Sequence, residues 1–110
     1  MPELTREQVI DNFLRHIKGI TKYWATIDLK ENDNIEYRCE GVAFSILTML
    51  DGCSGDMPGF IVAPYPHEED KEYTIKSDGE NAEWYPQNHE SEVNCDIAGG
   101  LHELFHQTKL

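Results

Sequence analysis

The sequence predicts a single α+β domain over residues 1–110: an N-terminal helical hairpin, a small β element near residues 60–63 and a C-terminal helix. Three observations predict it. Two apolar stripes at helical spacing flank the polar turn Lys30-Glu31-Asn32-Asp33. A short apolar run, Phe60-Ile61-Val62-Ala63, is stopped by Pro64 and Pro66. A last amphipathic stretch runs from about Asp96 to Gln107. Helical and alternating periodicities mark which segments bury one face, so these patterns carry the architecture.

The first helix begins at a capping box. Thr5 can accept from the Gln8 backbone while Gln8 reaches back, and Leu4 and Val9 stand at the staple positions. Val9, Ile10, Phe13, Leu14, Ile17, Ile20 and Trp24 then repeat at helical spacing, and the helix is expected to run to Trp24 or Ile27. The second helix starts at Asp33 or Asn34, with Glu36 completing a box with Asp33. Its stripe is Ile35, Cys39, Val42, Ala43, Ile46, Leu47 and Leu50, and Gly52 is its C-terminal glycine. A short turn between two such helices implies an antiparallel hairpin with Phe13 and Ile46 buried.

Residues 51–59, DGCSGDMPG, read as a loop. Residues 67–78 are ambiguous: the acidic start suits the positive end of a helix dipole, while Tyr73 and Ile75 alternate as in a strand. Trp84 and Tyr85 beside Pro86 read as aromatics covering part of the core, with a ligand-pocket lining as the alternative. The final helix is expected to bury Ile97, Leu101, Leu104 and Phe105.

Composition narrows the function. The formal charge is −12, with nine Lys and Arg against 21 Asp and Glu. That argues against nucleic-acid phosphates and anionic membrane surfaces, and it permits a basic protein partner or a cation. Cys39, Cys53 and Cys95 have no motif spacing and read as reduced thiols. The start MPELTREQ lacks the apolar run of a signal peptide, and VAFSILTML is too short to span a bilayer. A cytoplasmic location is expected.

The sharpest motif is His102-Glu103-Leu104-Phe105-His106. In the H-E-x-x-H pattern two histidines one turn apart bind zinc and the glutamate acts as general base. At about 100° per residue the two imidazoles project together, roughly 120° from the Leu101, Leu104 and Phe105 face. A catalytic zinc needs a third protein ligand. Little chain follows His106, so that ligand is expected upstream, from Cys95, His67, His89 or Glu68-Glu69-Asp70. Cys95 shares the histidine stripe but lies roughly 16 Å from His106 on a straight helix. The preferred reading is an ordinary amphipathic turn with His102, Glu103 and His106 facing water, and no cofactor.

The other candidates have plain structural readings. Cys53 and Ser54 follow a helix C-terminus, where the dipole disfavours a thiolate or oxyanion, so Asp51–Asp56 reads as a cap and turn. Neither that loop nor Glu68-Glu69-Asp70 with Glu72 has the spacing of a helix–loop–helix calcium site. The acidic run reads as a solvated helix start.

The segments GVAFSILTMLDG (41–52), PHEEDKEY (66–73) and IAGGLHELF (97–105) together resemble a group of short uncharacterised bacterial proteins. The resemblance covers more than half the chain if the intervening residues are included. It implies a compact bacterial-type domain and no activity, cofactor or partner.

The preferred function is therefore a small acidic, non-enzymatic accessory or protein-interaction module of bacterial or phage origin. The alternatives are a zinc-dependent hydrolase using His102 and His106 as ligands with Glu103 as base, and an acidic nucleic-acid mimic that inhibits a basic partner.

Overall fold

A computed structural model describes residues 3–31 and 33–109; Asn32 of the expected turn lies outside the described residues. The chain divides into two compact units, Met1–Gly59 with Gly99–Leu110, and Phe60–Ala98. The helices are α1 (Arg6–Thr26), α2 (Ile35–Leu50), α3 (Glu68–Asp78) and α4 (Leu101–Gln107).

This corrects the expected α+β class. The described residues are 52% helical and only 2% strand, with no sheet. Residues 60–63 are not a strand. Val62 meets its partners singly: its N–H donates to Asp96 Oδ1 (2.8 Å) and its carbonyl accepts from the Ile97 N–H (2.7 Å). One backbone bond is not a ladder, and Pro64 and Pro66 remove the donors that would extend it. Residues 67–78 resolve as the helix α3, whose first turn carries Glu68, Glu69 and Asp70.

In the first unit α1 and α2 pair as the periodicity requires, and α2 also packs on α4. The Thr5–Gln8 capping box is formed. The cap of α2 is Asn34, whose side chain accepts from the Tyr37 N–H at 2.8 Å, in place of the Asp33–Glu36 box. At its other end Cys53 N–H reaches the Thr48 carbonyl and Gly52 N–H the Met49 carbonyl, both at 3.0 Å. Gly52 holds φ +80°, so this is a Schellman ending.

Two contacts lock the hairpin. The Trp24 indole lies flat against Gly41, where a Cβ would stand 2.5 Å from the ring, and its Nε1–H donates to Ser45 Oγ at 2.8 Å. Arg38, on α2, donates to the Trp24 carbonyl and, at 2.9 Å, to the Ile27 carbonyl. The last turn of α1 has no basic residue of its own, so Arg38 supplies the cation that the helix end favours.

The core is thin. Met49 is the fully buried hydrophobic side chain among the described residues, while Phe13 and Ile46 are half-buried rather than buried. Cys39 and Ile35 are exposed, so the apolar stripe of α2 begins later than the spacing predicts.

The unit Phe60–Ala98 is organised by polar groups. Asn88 is 5% exposed. Its Nδ2 donates to the Pro64 carbonyl (2.8 Å), and its Oδ1 accepts from the backbone of Asn94 (2.7 Å) and Cys95 (2.9 Å). Asp96 accepts from Val62 and Ala98, and these two N–H groups hold its carboxyl below the usual range. Trp84 is partly covered, with its indole nitrogen buried and unbonded, while Tyr85 is exposed.

Candidate functional site

The last helix is shorter than expected, and the reason builds the site. Gly99 and Gly100 take φ +92° and +104°, a left-handed conformation that helical residues do not adopt, so α4 begins only at Leu101. Gly100 caps α4 without a side chain. The acceptor comes instead from the end of α2: Asp51 Oδ1 accepts from the Gly99 N–H (2.6 Å) and Oδ2 from the His102 N–H (2.9 Å). Asp51 thus caps α4 from another element.

The same carboxylate meets the His102 side chain, with Oδ2 2.6 Å from Nδ1. The Asp51 side chain is fully buried and that of His102 is 16% exposed. Burial pushes the Asp51 carboxyl up. The bonds from the His102 ring, the His102 N–H and the Gly99 N–H outweigh it and bring the value down to about 2. An ionised Asp51 has no proton to give, so Nδ1 is the donor in this contact and Nε2 is the ring nitrogen that Asp51 does not engage.

This corrects the expected orientation of the motif. His102 turns inward and Leu104 outward, at 57% exposure, while Phe105 remains half-buried. The Asp51 bonds fix the rotation of α4 and draw the His102 side of the helix toward α2. His102 meets the Phe44 ring edge-on at 5.7 Å between centroids, and His106 lies against the same ring at 4.6 Å. Glu103 and His106 are exposed, and Glu103 Oε1 is 3.9 Å from His102 Nε2.

The structure therefore brings His102 and His106 together around Phe44. Among the described residues no group of three or more His, Cys, Asp or Glu side chains is gathered to hold a metal ion. Cys95, His67, His89 and Glu68-Glu69-Asp70 belong to the unit Phe60–Ala98. There His89 pairs with Glu92 in a tight turn, and Cys95 gives its backbone N–H to Asn88.

A carboxylate that orients an imidazole is shared by metal-binding histidines and by nucleophilic catalysis. Among the described residues, the nucleophiles closest in sequence, Cys53 and Ser54, form no hydrogen bond with His102. Cys53 Sγ contacts the Asp51 carbonyl at 3.9 Å, and Ser54 Oγ is buried without a hydrogen-bond partner. Cys39, Cys53 and Cys95 are free thiols.

Motif reasoning passes over Asp51, because the sequence reads it as part of a cap and turn. One signal pointed to it: a carboxylate at a helix C-terminus opposes the dipole and needs compensation from elsewhere. No known protein family, no curated protein and no solved structure matches the chain. No helix among the described residues is long and apolar enough to cross a membrane.

Proposed function

We propose that the chain is a small acidic, non-enzymatic protein-interaction module of bacterial or phage origin that works in the cytoplasm without binding nucleic acid. The observation that carries this is the exposed apolar flank of α1 at Ile10 and Leu14. The apolar arc of this helix is wide, and among the described helices of its unit α1 packs on α2 and not on α4. Leu14 is 54% exposed, Ile10 one turn before it is exposed beside it, and Leu4 is exposed just ahead of the helix. An exposed apolar flank offers surface that another polypeptide can cover.

Purification from the native cell tests it, using the wild type and the double variant Ile10→Glu, Leu14→Glu. The proposal expects a stoichiometric protein partner with the wild type and its loss with the double variant. Circular dichroism should stay unchanged, because both residues are exposed and a glutamate can turn its carboxylate to water at either. A wild-type chain that remains alone, or a partner retained equally by both proteins, contradicts it.

One observation favours a second reading, the zinc site. Asp51 holds His102 so that Nε2 is the available ligand atom, and His106 is one turn away. Zinc titration followed by equilibrium dialysis decides between the two. Stoichiometric zinc retained by the wild type and lost in His106→Ala supports the metal, and no retention removes it.

A further inference from the structure

A groove of about 180 Å³ lies between α1, α2 and α4, lined by Trp24, Tyr37, Glu40, Gly41, Phe44 and His106. Its shape follows from the sequence. Gly41 has no side chain, so the Trp24 indole reaches the backbone of α2 and the Ser45 hydroxyl fixes its orientation. Tyr37 and Phe44 stand on α2 either side of Gly41. Tyr37 meets the indole edge-on at 6.2 Å between centroids, and His106 covers Phe44 from α4. Glu40 is exposed and also lines the adjoining cavity with Phe105, His106 and Thr108.

Aromatic faces carry negative quadrupoles, and a cation within about 6 Å of a ring centroid is attracted to them. Glu40 adds a full negative charge, on a chain of net charge −12. A neutral apolar side chain would gain nothing from that charge. An ammonium ion would be held as a point charge. A guanidinium is planar, stacks on aromatic faces and offers paired donors to a carboxylate.

We propose that this groove receives an arginine side chain of a basic protein partner, set among the Trp24, Tyr37 and Phe44 rings and paired with Glu40. This rests on the interaction-module reading and adds the chemistry of the partner. The groove is distinct from the Leu14 flank of α1, so one polypeptide can cover the flank while its arginine enters the groove.

The test is a nuclear magnetic resonance titration of the full ¹⁵N-labelled chain with the blocked tripeptide acetyl-Gly-Arg-Gly-amide. Its citrulline and lysine counterparts serve as the comparison probes. The expected result is saturable shifts at the Trp24 indole N–H and the Gly41 and Phe44 amides in the millimolar range, absent with citrulline and weaker with lysine. Glu40→Gln should weaken arginine binding by at least about fivefold, because a charge-assisted pair is lost while the exposed site keeps its fold. Equal shifts with citrulline or lysine, or Glu40→Gln binding as tightly as wild type, overturn the proposal. The tripeptide does not need the α1 flank. No tripeptide binding with partner capture intact therefore overturns the groove alone and leaves the interaction reading standing.

Discussion

The two units of this molecule are held by different means. In the helical unit, apolar stripes pair α1 with α2, and one buried carboxylate, Asp51, ties the end of α2 to the start of α4. In Phe60–Ala98, α3 is the one described helix and has no helix of its own unit to pair with, and the segment closes through the Asn88 amide and the Asp96 carboxylate. Apolar packing spreads stability over many small contacts. Polar closure concentrates it in a few groups whose loss leaves buried donors and acceptors unsatisfied. The helical unit combines both means, so its weakest point is expected at Asp51 rather than in a stripe.

The largest effect should come from Asp51→Ala. It removes the acceptor of two backbone N–H groups and of the His102 ring, and should cost about 3 kcal/mol in urea unfolding. A loss below about 1 kcal/mol would show that α4 is held by apolar contacts alone. The same carboxyl sets an acid limb. Its folded value, about 2, lies below the ordinary 3.8, so its contribution is complete above pH 3.8 and is lost as pH falls through about 2. Asp51→Asn should remove that limb from the pH–stability curve, and an unchanged curve would break the assignment.

Asn88→Ala should come next, at about 2 kcal/mol, because the N–H groups of Asn94 and Cys95 lose their acceptor. Hydrogen exchange locates the effect. Faster exchange confined to Phe60–Ala98 sharpens the contrast between the units, and equal acceleration in α1 would erase it. The smallest effect belongs to Leu104→Ser. Leu104 is 57% exposed, so the change should stay within about 0.5 kcal/mol. A loss above 2 kcal/mol would restore the inward-facing Leu104 that the periodicity predicts.

What the sequence made legible follows the same division. The Thr5–Gln8 box, the hairpin of α1 and α2 and the ending at Gly52 were all readable, because each depends on residues a turn or two apart. The β element is not legible, since an apolar run before Pro64 looks the same whether or not a neighbouring strand exists. The bonds that replace that strand come from Asp96 and Ile97, far along the chain. The rotation of α4 was misread for a related reason. Periodicity placed Leu104 inward, but the helix is short, and three bonds to Asp51 outweigh the burial of one leucine. His102 and His106 were found from the motif. Their partner Asp51, 51 residues before His102, shares no local pattern with them.

The central claim is that an ionised Asp51 accepts from His102 Nδ1 and so anchors α4. Two-dimensional ¹H–¹⁵N spectroscopy of the histidine side chains at neutral pH tests it most directly. The account predicts that His102 carries its proton on Nδ1, with a downfield, slowly exchanging resonance that disappears in Asp51→Asn. A His102 ring protonated on Nε2 alone, or an Nδ1 signal unchanged by Asp51→Asn, would contradict it.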